Sequence, residues 1–200
     1  MSLQKAKIVR IKGSADISHK LLHDLGKKVK PYGFSKTIPF ESKTIIVADW
    51  VHQKCLYGCR RYNTNWCCPP ATPKPDSVKK IVQEDSLVLL LVDEQSCAEF
   101  YRDNEAKRIK QIQHWKGAVS VERLLFLEGY YKAFSVIGAN CVLCKQCAYP
   151  RNCLFPQEKR PSVESYSIDM IGTLQKIGVP SQIAKNKTEP FNSYSIVLVH

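Results

Sequence analysis

An α/β fold, with α+β as its near variant, is what this chain predicts: a mixed β-sheet covered by helices, with two cysteine-rich loops held outside the sheet. Three observations point there. Residues 87–92 form an unbroken apolar run, the pattern of a central strand covered on both faces. Stretches with helical spacing of apolar residues alternate with short strand-like runs. Two segments, 50–75 and 138–160, crowd cysteines and prolines where neither period holds. With 200 residues, 44% of them hydrophobic, the chain can bury its own core, and residues 1–200 read as one domain.

Taken in order, residues 7–12 read as a short strand ending at Gly13. Ile17, Leu21, Leu22, Leu25 and Val29 then share one helical face, with Ser14 or Asp16 available as a cap. A second strand is expected at 44–49. Residues 50–75 follow as a long irregular loop, and loops of that length tend to carry function. A short helix at 76–84 leads into the central strand. A polar, basic helix is expected over 98–116, broken near Gly117, with a more apolar helix over 119–131. Residues 134–137 form a short strand that delivers the chain into the second cysteine-rich loop. Beyond it, Pro161 and Ser162 make a helix start, and Ile168, Ile171, Leu174 and Ile177 form a buried stripe ending at Gly178 and Pro180. Residues 181–190 are a polar connector, and 194–200 a closing strand.

The second loop carries the sharpest chemical signal. Cys141, Cys144 and Cys147 recur at C-x2-C-x2-C spacing, with Cys153 beyond Pro150. Three cysteines so close reach one small volume only if the backbone wraps around something they all bind. This spacing is the usual loop around one face of a 4Fe-4S cluster. Zinc is the alternative, but tetrahedral zinc usually takes two separated two-cysteine arms. Disulfides fit poorly: the nine cysteines are an odd number, and no signal peptide opens the chain.

The first loop reads Cys-Leu-Tyr-Gly-Cys over 55–59 and Cys-Cys-Pro-Pro over 67–70, giving Cys55, Cys59, Cys67 and Cys68. A proline after a cysteine turns the chain away from a metal, and Gly58 lets the backbone pass close to one. The alternative is a set of buried thiols packed with Tyr57, Tyr62 and Trp66. The spacing differs from the C-x3-C-x2-C of radical enzymes, so that chemistry is not expected. If Cys141, Cys144, Cys147 and Cys153 close one site, the first loop needs a fourth ligand from Cys67, Cys97, His52, water or a substrate, or the loops trade ligands through Cys153.

These two motifs, together with the run Arg160-Pro161-Ser162-Val163-Glu164-Ser165-Tyr166-Ser167-Ile168-Asp169, resemble a family of predicted metal-binding proteins from anaerobic bacteria and archaea. The similarity runs from about residue 40 to the C-terminus. The resemblance implies metal binding, and its pattern of a cysteine, three residues, a cysteine and then Cys-Pro-Pro selects Cys55, Cys59 and Cys68, leaving Cys67 without an assigned role.

Thirty Lys and Arg against eighteen Asp and Glu give +12, which alone would permit a nucleic-acid partner. The charge is scattered, however, and cluster thiolates would offset part of it, so an acidic redox protein fits at least as well as a partner. No apolar run is long enough to cross a bilayer, and a cytoplasmic location is expected. Glu164 and Asp169 are candidate acid-base groups but fit better as helix-dipole partners, while Lys145, Arg151, Lys159 and Arg160 surround the second loop. His23 and His114 suggest no role. Phosphate-loop, Gly-x-Gly and His-Glu-x-x-His motifs are absent. Catalytic residues stay unassigned. The expectation is a protein with one or two 4Fe-4S clusters in redox or electron transfer; the alternatives are a structural zinc interaction module and an enzyme with an open iron site.

Overall fold

The computed structural model describes residues 17–84, 86–96, 105–181, 183–186 and 188–199. The strand expected at 7–12, the caps Ser14 and Asp16, Cys97 and the start of the helix expected at 98 lie outside the described residues. In chain order the named elements are α1 (His19–Val29), β1 (Phe34–Glu41), α2 (Asp49–Gly58), α3 (Pro75–Glu84), β2 (Leu87–Ser96), α4 (Glu105–Leu127), β3 (Phe134–Val136), α5 (Met170–Lys176) and β4 (Pro190–Leu198).

The strands form one four-stranded sheet in the order β1-β2-β4-β3. Helices over a sheet is the class the sequence predicts, and every ladder between the named strands is antiparallel. Parallel pairing is confined, among the described residues, to an isolated bridge between Ile137 and Ser162. Because side chains alternate along a strand, β2 feeds two cores. Leu89 and Leu91 pack with Leu25 and Val29 of α1 and Trp115, Val121 and Leu125 of α4. Val88, Leu90 and Val92 pack on the other face with Val78 and Val82 of α3 and Leu174 of α5. That double burial is why β2 reads as a continuous apolar run. No helix among the described residues is long and apolar enough to cross a membrane.

Several local expectations are corrected. The 44–49 segment is not a strand: Val47 makes a single bridge to Ile168, and the Ile46 N–H is satisfied by Thr173 Oγ1 at 3.0 Å. The strand in this region is β1 instead, an edge strand, which is where Pro39 can sit without costing a ladder hydrogen bond. The 50–75 loop is helical at its start, through α2. The break expected near Gly117 does not occur, and α4 runs straight through it. A Cβ on Gly117 would lie 2.6 Å from Tyr32 Cβ, so the glycine serves close packing against the turn before β1. The helix expected from Pro161 begins later. Residues 162–167 form turns held by Ser162 and Ser165, and α5 starts after Asp169, whose carboxylate accepts from the Gly172 N–H at 2.9 Å. Ile171 leaves the expected buried stripe and is 41% exposed. The α1 cap is Ser18, accepting from the Leu21 N–H.

Candidate metal centre

The first loop is built from the end of α2 back onto itself. Cys55 lies in the last turn of α2, and Cys59 caps it, its N–H donating to the Cys55 carbonyl at 3.4 Å. The Asn63 N–H then reaches the Pro69 carbonyl at 2.8 Å, while Asn65 accepts from the Cys67 N–H through its side chain and from the Cys68 N–H through its carbonyl. These short-range bonds fold Cys68 back toward Cys55 and Cys59. The electrostatics report their proximity: burial and then the Cys59 thiol raise Cys68 to about 12, with Arg61 opposing and Cys55 adding to the rise. Cys55 is raised by burial, then by Cys59 and Glu164.

The second loop hangs from β3 by main-chain clamps at both ends. The Ile137 N–H donates to Pro161, and the Val163 N–H donates to Ile137, each at 2.9 Å. Gly138 lies against β4, its N–H donating to Ser195 Oγ at 2.8 Å. Within the loop Cys144 is raised by burial and then by Cys141, Cys147 and Cys153, with Arg108 opposing. Cys144 therefore lies near the other three expected thiols of this loop. Two arginines from elsewhere brace the loop: Arg61 donates to the Cys141 carbonyl at 3.2 Å and Arg108 to the Leu143 carbonyl at 3.0 Å.

The two loops interlock. Trp66 Nε1 donates to the Arg151 carbonyl at 2.8 Å, the Trp66 and Tyr149 rings meet edge-on at 5.1 Å, and Tyr149 donates to Asn63 at 3.1 Å. Cys67 crosses between them. Only 2% exposed, it packs in the same core as Leu143, with Cys141 against that core. The two thiols shift each other, Cys141 raising Cys67 and Cys67 lowering Cys141 to about 7.

The eight described cysteines are all free thiols. As they stand, no three His, Cys, Asp or Glu side chains among the described residues are gathered closely enough to hold an ion. Tetrahedral zinc would need sulfurs about 3.8 Å apart, whereas a polynuclear cluster spreads its ligands over several metal atoms. The donor chemistry, soft thiols in a group of four and a group of three, suits a thiophilic metal.

A cavity of about 910 Å³ opens beside the first loop, and Cys55, Cys59 and Cys68 all lie in its wall. Glu164 faces it too. Its side chain is exposed, and the protein around the carboxyl raises its pKa by desolvation. His114, given no role from sequence, is buried at the cavity wall with Nδ1 2.8 Å from Asp93. His52 has a buried Nδ1 without a partner and does not line the cavity, and Cys97 lies outside the described residues. Sequence reasoning missed Arg61, Arg108 and the Cys67–Cys141 pair. Their partners are tens of residues away, and no spacing rule signals them.

Two interlocked cysteine-rich loops give this small α/β chain the soft donors that a metal-binding protein uses. The chain belongs to the family described as Predicted metal-binding protein (DUF2284), whose model matches residues 38–199. No curated protein and no solved structure matches it.

Proposed function

We propose that the two thiol sets each hold a 4Fe-4S cluster and that the protein passes electrons in the cytoplasm. What supports this reading is the neighbourhood of the thiols: Cys141, Cys147 and Cys153 all act on Cys144, and Cys59 and Cys55 act on Cys68. Cys68 also feels Cys141, so the groups adjoin. Bound clusters would supply one-electron redox chemistry, and the chain's part is to hold and tune them. Arg61 and Arg108 place positive charge beside the second set, which favours the more negative, reduced state. Lys145 and Arg151 offer an acidic redox partner a basic face. Arg160 is withdrawn from that face by its ion pair with Glu122, and Lys159 lies 4.7 Å over the Trp66 ring.

A second reading, an enzyme using an open metal position, is favoured by the cavity at the first set. The test is spectroscopic. Protein purified without oxygen should be brown, bleach on reduction with dithionite, and give the electron-spin signal of a reduced cubane. A colourless protein with stoichiometric zinc would replace this function with a structural zinc module.

A further inference from the structure

Among the described residues the first loop brings three thiols to one cavity. Cys67 is 2% exposed in the core and does not line that cavity, whereas Cys55, Cys59 and Cys68 do. We propose that the first set holds its cluster through these three sulfurs alone and that the fourth position opens into the 910 Å³ cavity, where it takes an oxygen donor from a small organic anion. This deepens the iron-sulfur reading and rests on it.

The ligand class follows from the walls. Metabolite-sized ligands occupy cavities of about 300–1,000 Å³, and this one falls in that range. Lys54 of α2 and Lys107 and Lys110 of α4 contribute three cationic side chains to it. Two carboxyl groups face them. Asp169 is engaged as the α5 cap, and Glu164 stands beside Cys55. Three lysines against two carboxyl groups leave the cavity's balance positive. Trp50, Ile168 and Met170 supply apolar wall for the body of the ligand. A carboxylate-bearing molecule can thus set one oxygen on the metal and another toward the lysines.

The test uses the full chain, loaded without oxygen with ⁵⁷Fe. Mössbauer spectra should show one iron per chain distinct from the all-sulfur irons, and citrate, as the probe anion, should shift the electron-spin signal of the reduced protein in a saturable way. The triple variant Lys54→Met, Lys107→Met, Lys110→Met, with iron content unchanged, should weaken the citrate effect about tenfold. Azide, too small to need the lysines, should still shift the signal. Cys67→Ser should keep the distinct iron. If wild-type irons are all sulfur-ligated and neither citrate nor azide alters the signal, the open position does not exist. If Cys97→Ser then creates a distinct iron, Cys97 is the fourth ligand and the proposal is wrong while the clusters stand. Protein without iron and sulfide would sink both together.

Discussion

Glu122 shows how much one buried carboxylate can organise. It accepts from Arg160 Nε at 2.7 Å, is also bonded by Arg160 Nη2, and takes the Ser135 N–H at 2.8 Å. Arg160 in turn donates to the Gln157 and Lys159 carbonyls, so one ion pair fastens the tail of the second loop to α4 and β3. Glu122→Ala strands a buried guanidinium and a buried N–H, and should cost about 3–5 kcal/mol in urea unfolding of metal-free protein. Glu164 has the opposite character. Its folded pKa is raised above 4.5, so it supports the fold fully below that pH and loses that support as pH rises through the raised value. Glu164→Gln should therefore stabilise metal-free protein at pH 7 and make no difference near pH 4, measured as the shift in Tm. At this scale the cysteines were legible from their type and spacing. Arg61, Arg108 and Glu122 were not, because an isolated charged residue in sequence looks the same whether it is solvated or committed to a partner across the fold.

Among the elements, the short segment joining β3 to the second loop sets where the thiols stand. A Cβ on Gly138 would run into the Tyr194 carbonyl of β4, and backbone cannot yield as a side chain tip can. Gly138→Ala should cost about 2–4 kcal/mol by overpacking and lower metal content, read from unfolding midpoints and iron analysis of the same preparations. The elements with strong local pattern were readable. The β2 strand announced itself by its continuous apolar run, α3 by its acidic start, and β3 by the short run Phe-Ser-Val-Ile before the cysteines. The misreadings share a cause: tertiary contact decided them. Gly117 reads as a breaker until Tyr32 is seen packed on it. Residues 44–49 look like a strand, but their polar groups are answered by Thr173 and Asp169 rather than by a neighbouring ladder. The β1 strand hid behind Pro39, which only an edge position tolerates.

For the whole molecule, the two cores and the thiol loops divide the labour. Side chains on both faces of the sheet supply the burial, with α1 and α4 on one side and α3 and α5 on the other. The cysteine loops join that platform through Ile137, Gly138 and Arg160, and Cys67 and Leu143 enter its core. On the proposed function, the net charge of +12 would offset the negative charge of thiolate-bound clusters. Iron and acid-labile sulfide per chain, measured on anaerobically purified wild type, Cys144→Ser and Cys68→Ser, test this account most directly. It predicts about eight of each in the wild type and about four in each variant. Zinc without sulfide, or iron that neither substitution reduces, would contradict it.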